Sequence, residues 1–553
     1  MARLNERSLM KRMKRAIARK ELWRSHLNDA YSLALPNRNL FENFMGDTRQ
    51  QQRGKAKQDL VFDGTLMRST IKTANRMQSD LTPPFHKWAD LEPGPFIPAK
   101  QHESARKQLA PIRDAVFAAI HMSNFDVVSN EFYLDLLSGM GIMMVLENDV
   151  PGEAPVNYVA IPRAQVAIEE GPLGSVQATY RVHHVHITDI EGTFGRHFKA
   201  PDGWDKHVED NKDKEQDEEL REAIYFDPKE NQYHYDVMWK GSTGSSAGAR
   251  EESWARIVER DLEDTPFIVA RWMKVAGEAE GRGPILSALP DAKTANKVLE
   301  FILRGAAFAV SGVWMARNDG VINPNTVRVI PGAIIPVGST GGALGASIEH
   351  LEFKGRLDVA QIVLEDQRMA IKEAMLDRGL PVESGAVRSA TEIIARMREL
   401  VQDIGSPFGR LMTEYLRPVL QKTINVLIRK GMIDVGGPVE INGGHIMMSI
   451  TSPLAREQDL NDVEAVVQWG QITNAIVGPQ MAQLGIKTED VPEYLAQKLN
   501  VDPRLVRSEQ ERRVLSKNIG SMIGASIANG QTSPIGAASA IANDPGRPQR
   551  LAA

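Results

Sequence analysis

With 553 residues and a net charge of -5, the chain has room for several domains and no charge excess that demands a nucleic-acid partner. It contains no cysteine, which excludes a disulfide scaffold, thiolate metal ligation and cysteine catalysis. The basic N-terminus lacks the apolar centre of a signal peptide, and the most apolar run, Gly305 to Ala316, is shorter than the roughly 20 residues a membrane span takes. A soluble intracellular protein, or one assembled inside a cell, is the expectation.

Residues 1–45 read as helical and basic, with Leu9, Met13, Ile17 and Leu22 facing inward. A polar linker over 46–60 leads to a helix from Asp63 to Asp80, with Leu66, Ile71 and Met77 spaced for burial. Glu103 to Met122 and Glu131 to Gly139 are further helices. The run G-M-G-I-M-M-V-L-E-N then reads as a buried strand. Strands follow at 158–168, 178–187, 232–239 and 267–272, and the acidic block 205–222 reads as a solvated helix or loop.

From Gly281 the pattern changes. A helix is predicted with Pro290 in its first turn and Ala292, Ala295, Val298, Leu299 and Ile302 along one face. Residues 317–349, rich in Gly, Pro, Asn and Val, predict turns and short strands; Val327, Val329 and Ile330 before Pro331 look like one of them. Leu357 to Leu376 is helical again, with Val359, Ile362, Val363, Met369, Ile371 and Met375 near one face. The segment Met375 to Arg388 carries Gly379, Pro381 and Gly385 and predicts a bend.

The longest helical signal runs from Arg388 to Lys430. Ser389 and Glu392 form a capping box, Pro407 and Pro418 predict breaks or kinks, and Gly431 predicts the stop. Arg396, Arg398, Glu399, Asp403, Arg410 and Glu414 occupy its polar face. Beyond it come a hairpin around Asn442-Gly443-Gly444, helices at 457–484 and 489–499, a charged helix at 502–519, and a tail from Gly520 that buries little surface.

No constellation for catalysis emerges. There is no G-x-x-x-x-G-K-[ST] motif, and the glycine-rich Gly338 to Gly345 lacks its lysine. His184 and His186 share a strand face while His183 points away, and no acidic partner is fixed by sequence, so no metal site and no cofactor are expected.

Three stretches carry a resemblance. They are S-N-F-D-V-V-S-N-E-F-Y-L-D-L-L-S-G-M-G-I-M-M-V (Ser123 to Val145), G-R-G-P-x-x-x-A-L-P-D-A-K-x-x-N (Gly281 to Asn296) and S-A-T-E-I-I-x-R (Ser389 to Arg396). In order and spacing the chain resembles the portal, or head-to-tail connector, proteins of short-tailed bacteriophages. The resemblance implies an α+β, mainly helical portal fold with wing, stem, clip and crown, assembled as a ring of twelve copies around a double-stranded DNA channel. The wing would be 1–275, the first stem helix 276–312, the clip 313–349 and the second stem helix 350–378. The channel loop would be 379–388, the long helix returning to wing and crown 389–500, and a C-terminal crown extension 501–553.

Arg378, Glu383, Ser384 and Arg388 would then be channel-loop residues. Ala295, Val298, Leu299 and Ile302 would pack against Ile362, Val363 or Met369 in the stem, within one subunit or between neighbours. Val327, Val329, Ile330 and Pro331 would belong to the clip. The implied partners are terminase, a tail adaptor, and major capsid and scaffolding proteins, with no membrane. The place would be the portal vertex of the virion, assembled in the host bacterial cytoplasm. Two rivals stand beside this: a DNA- or RNA-binding scaffold using the basic N-terminal helix, and an enzyme whose site leaves no motif.

Overall fold

A computed structural model of the chain describes residues 3–41, 58–98, 101–172, 174–213, 217–240, 254–311, 313–317, 334–337, 348–351, 357–377, 405–433, 441, 446–450, 463–473, 475, 491, 494 and 495. They fall into two units, Met1–Ser452 and Pro453–Ala553; in the second, residues 463–473 are helical. The fold is mixed α+β, with more helix than strand.

The N-terminal helix α1 (Glu6–Glu21) starts at Asn5, whose side chain accepts from the Ser8 N–H. Leu9, Met10, Met13, Ala16 and Ile17 make its buried face. Leu22 does not join them: it lies beyond the last turn and is 82% exposed, and the position that continues the buried face is Lys20. Helices α2 (Arg24–Ala34) and α3 (Thr65–Leu81) follow; in α3 Leu66 and Met77 are buried, whereas Ile71 is exposed. Then come strand β1 (Ala89–Pro93), α4 (His102–Met122) and α5 (Phe125–Leu136).

Strand β2 (Met140–Glu147) is the buried apolar run, central in an antiparallel sheet between β3 (Val156–Ala160) and β9 (Phe267–Arg271). The five-stranded antiparallel sheet has the order β4 (Val166–Glu170), β5 (Val176–His186), β6 (Asp217–Asp227), β7 (Gln232–Lys240), β8 (Trp254–Leu262). α1 covers one face, over Ala167, Tyr180, Val182, Ala223 and Tyr225. The other face packs on residues of β2 and β9 and on the short helices α6 (Ile187–Phe194) and α7 (Trp204–Asn211), with Trp204 buried among them.

The acidic block is therefore split. Its first part is α7, but Asp217–Asp227 is the middle strand of this sheet. Cross-strand partners make that possible: buried Glu222 accepts from Arg181 at 3.1 Å and from the Tyr235 hydroxyl at 3.1 Å. Arg221 lies over the Trp254 ring, 4.2 Å from its centroid. Burial pulls His183 down to about 4 even though Glu222 lies 3.1 Å away.

A two-residue ladder, β10 (Met273–Lys274) with β11 (Gly281–Arg282), leads into α8 (Pro284–Ser311). This helix starts at Pro284, so Pro290 lies inside it rather than in its first turn. Pro284 takes the position where a missing N–H has no consequence. After α8 comes a three-stranded sheet. β12 (Val313–Arg317) pairs in parallel with β13 (Ile334–Val337) and antiparallel with β14 (Ile348–Leu351). Helix α9 (Leu357–Ala374) returns beside α8.

The described part of the long C-terminal helical run is α10 (Gly405–Leu411), a π-helical turn (Met412–Leu416) and α11 (Arg417–Arg429). The chain does not break at Pro418. A proline ring crowds the carbonyl four residues back, and the wider π turn just before it gives room. Tyr415 stacks on Phe132 of α5 at 4.1 Å, and Glu414 accepts from Arg271 at 2.7 Å instead of facing solvent. Gly431, at φ +67°, ends α11. Strand β15 (Ile446–Ile450) pairs antiparallel with β1, which lies at the other end of the sequence. The Ser389–Glu392 cap and the Asn442-Gly443-Gly444 turn lie outside the described residues.

Candidate functional site

The α8–α9 pair and the sheet between the two helices form the candidate site. At 28 residues α8 is about 42 Å long by the 1.5 Å rise of an α-helix. Both helices belong to the first unit, and one end of α8 is rooted beside Gly139 and Arg163.

The root begins where Gly139, Gly281 and Gly283 let two backbones touch: a Cβ on Gly281 would collide with the Gly139 carbonyl, and one on Gly283 with that of Leu137. Arg163, fully buried, locks this crossing. Its guanidinium pairs with Glu280 at 2.8 Å and donates to the carbonyl of Ser138 at 2.7 Å and that of Gly281 at 3.2 Å. Lys20 donates to the carbonyls of Arg163 and Val166 from the other side. Burial lowers its ammonium to about 7, against the pull of Glu280. Asp135 accepts from the Tyr31 hydroxyl at 2.8 Å and pairs with Arg38 at 3.1 Å.

Further along, α8 and α9 are clamped to α2 and α3. Asn296 accepts from the N–H groups of Phe62 at 2.7 Å and Asp63 at 3.0 Å, and donates to the Leu60 carbonyl at 3.0 Å. Arg368 of α9 reaches the Asp63 carboxylate at 2.7 Å. Burial alone would raise that carboxyl, but hydrogen bonds from Thr65 and the Arg368 guanidinium outweigh it and hold it below the usual range. Just past α9, Asp377 accepts from Ser69 at 2.9 Å and pairs with Lys72, while Thr73 donates to the Met375 carbonyl at 2.9 Å. Lys293 pairs with Asp29 at 2.5 Å. Asn296 closes the G-R-G-P…N segment, yet spacing gave it no role, because its partners lie more than 200 residues away.

Ala295 is buried, and Val298, Leu299 and Ile302 are half-buried. On α9 the buried positions are Leu364 and Ile371, and Met375 just past its end is buried too. Ile362 is 62% exposed, Met369 67% and Val363 41%, so within one chain they do not form the covered face. With Val359 they make a second apolar stripe at helical spacing on α9. On α8, Phe301, Leu303 and Val310 are exposed as well. Exposed charge on the pair is of both signs: Lys293, Lys297 and Arg304 on α8, Glu365, Asp366, Lys372 and Glu373 on α9. Arg378, Glu383, Ser384 and Arg388 lie outside the described residues, as do Val327, Val329, Ile330 and Pro331.

Among the described residues His183, His184 and His186 gather no metal-ligand set; the one grouping close enough to be considered, Asp227, Glu230 and His234, lies at the β6–β7 hairpin. Among the described residues no helix is long and apolar enough to cross a membrane.

A profile of the family described as bacteriophage head to tail connecting protein matches residues 6–506. No curated protein matches the chain. Among solved structures, a chain of the virion of a native gene transfer agent particle is 11% identical, at a TM-score of 0.33, covering 76% of this chain and 91% of that one. A chain from the neck of an empty gene transfer agent particle, computed with C6 symmetry, is 12% identical at a TM-score of 0.30, covering 81% and 96%. A third, from the neck of a native particle computed with C12 symmetry, is 10% identical at 0.32, covering 74% and 88%.

Proposed function

The chain belongs to the bacteriophage head to tail connecting protein family, a structural and non-enzymatic one, and from that premise we propose that it is the portal of a short-tailed phage. Twelve copies form a ring at one capsid vertex, in a virion assembled in the host cytoplasm. Double-stranded DNA enters and leaves through the ring.

The observation that carries this reading is the rooted helix pair with apolar residues left exposed on both helices. A neighbouring copy covers them, so that the pairs line up around a channel. In this reading 1–275 is the wing, 276–312 and 350–378, which hold α8 and α9, are the stem helices, 313–349 is the clip, 379–388 the channel loop, 389–500 the long helix returning to wing and crown, and 501–553 the crown extension. The clip docks terminase during packaging and the tail adaptor afterwards; capsid and scaffolding proteins meet the wing.

The work done is passage, not catalysis. DNA must slide, and each phosphate contact adds to binding. A stem carrying exposed charge of both signs supports a wall that centres the duplex without gripping it. The chain has no P-loop motif, so the energy of packaging comes from a separate motor.

The rival of a nucleic-acid scaffold built on α1 loses ground because that helix lays its apolar face on the sheet as an ordinary amphipathic helix does. The test is the particle. Light scattering and negative-stain images of the purified chain are expected to show rings. The double variant Ile362→Asp with Val363→Asp should keep the folded stability within about 0.5 kcal/mol, as exposed substitutions do, and lose the rings. A monomeric wild type, or rings formed normally by the variant, would refute the reading.

A further inference from the structure

The five-stranded sheet carries opposite charge on its two sides, and the stem contacts of the proposed ring use neither. On one face lies α1. Its apolar side packs on Ala167, Tyr180, Val182, Ala223 and Tyr225. Its outer side presents Arg7, Lys11, Lys14, Arg15 and Arg19, all exposed. The carboxylates at its two ends are engaged within the chain: Glu6 accepts from the Arg256 N–H at 3.3 Å and Glu21 from Arg24 at 2.7 Å. Arg12 pairs with Glu169 at 2.6 Å, and Arg15 lies 4.0 Å from the same carboxylate. Arg7, Lys11 and Arg19 have no carboxylate partner among the described residues.

On the opposite face, with Leu220, Ile224 and Val237, sit α6 and α7. Side chains alternate along a strand, so Leu220 and Ile224 of β6 point away from Ala223 and Tyr225. The outer side of α7 and the residues just after it present Asp205, Glu209, Asp210 and Asp213, with Lys206 and Lys212 among them. Glu209 pairs with Lys212 at 2.6 Å; Asp205 and Asp210 have no cationic partner among the described residues. Each helix also places charge against its own dipole. Arg7 is the second residue of α1, at the positive end, and Glu209 and Asp210 lie in the last turn of α7, at the negative end. Neither placement helps its own helix, but each is favourable toward a surface of the opposite sign.

Resting on the ring reading, we propose that the basic face of α1 in one copy docks on the acidic face of α7 in the next, joining neighbouring wings head to tail by complementary charge. Two different patches on opposite faces of one sheet make a heterologous contact. Each copy gives one face and receives on the other, and repetition with a turn between copies closes a ring. A self-complementary patch would pair copies in twos instead. The occupant is a second copy and not nucleic acid, because the chain supplies its own complement: its total charge is -5, and the surface that matches α1 lies across the same sheet. Single exposed ion pairs add little, so this contact steers and registers the neighbours while the apolar stripe of α9 supplies buried area.

The test uses two full-length variants and their mixture. Arg7→Glu with Lys11→Glu reverses the α1 face; Glu209→Lys with Asp210→Lys reverses the α7 face. All four positions are exposed, and the changes at Arg7, Glu209 and Asp210 suit the helix dipoles better, so circular dichroism and urea midpoints should match the wild type. Each variant alone should need at least ~10-fold more protein to reach half assembly by light scattering, since like charges then face each other. An equimolar mixture should assemble as the wild type does, in rings of alternating copies, because every contact again joins opposite signs. Normal rings from either variant alone, or no recovery in the mixture, overturn the proposal; with the wild type still forming rings, the portal reading then stands. A monomeric wild type overturns both. Normal rings from the α1 variant with weakened, salt-sensitive binding of duplex DNA would assign that face to nucleic acid and overturn the proposal as well.

Discussion

The junction around Arg163 and the outer part of the α8–α9 pair treat their surfaces in opposite ways. At the junction, charges are buried and matched inside one chain: Arg163 with Glu280, Arg38 with Asp135, Lys20 on two carbonyls. On the helix pair, apolar residues such as Ile362 and Met369 stand in solvent, although the same helix buries Leu364 and Ile371 on its other side. The first region is complete in a single copy. The second is complete only against something else. Folding information is concentrated in the one, and in the proposed ring assembly information would be concentrated in the other.

The largest expected effect tests whether the junction is self-contained. Glu280→Ala leaves the Arg163 guanidinium buried without its counter-charge, which costs about 3–5 kcal/mol. Urea unfolding of the variant measures it. A loss under about 1 kcal/mol would mean that water or another group reaches Arg163, and the contrast between the two regions would fail.

A smaller effect comes from Lys20. Burial, opposed by Glu280 and Asp135 and aided by Arg163, brings its ammonium from the ordinary value to about 7. Below that pH the folded and unfolded chains both carry the proton, and the burial cost is fully present. Above it the unfolded chain holds a proton that the folded chain has lost. Stability from this group therefore rises with pH, by up to about 1.4 kcal/mol per unit, until the unfolded lysine titrates too. Between about pH 7 and about pH 8.5 the wild type should gain roughly 1.5 kcal/mol relative to Lys20→Met. Parallel pH profiles for the two proteins would show that Lys20 stays charged in the fold.

The smallest effect separates a lone exposed residue from an exposed stripe. Leu22 is more exposed than Ile362 but has no large apolar neighbour at helical spacing on α1, only Ala18. Leu22→Ser should change stability by less than about 0.5 kcal/mol and leave ring formation untouched. Lost rings in that variant would extend the assembly surface to the C-terminal end of α1.

Much of the fold was legible because it rests on local periodicity. The face Leu9, Met13, Ile17 of α1, the buried run of β2, the apolar side of α11 and the stop at Gly431 all follow from spacing within a few residues. The order of elements, two helices around a β-containing insert, followed from the same signals. Spacing also separated apolar from polar positions on α9, but merged two stripes into one.

Tertiary structure alone decided what those faces meet. The block 205–222 reads as solvated because its charges look unpaired in sequence; in the middle strand Glu222 finds Arg181 and Tyr235 on neighbouring strands. Lys20 looks like one more basic residue until the backbone carbonyls of Arg163 and Val166 surround it. Glu414 sits on the polar side of its helix until Arg271 of β9 arrives. Strand β15 pairs with β1 across some 350 residues, as their register from Ala89 with Ile450 to Pro93 with Ile446 shows. In each case the energy of a charge or a strand edge is set by a partner that is distant in sequence, and local periodicity holds no record of it.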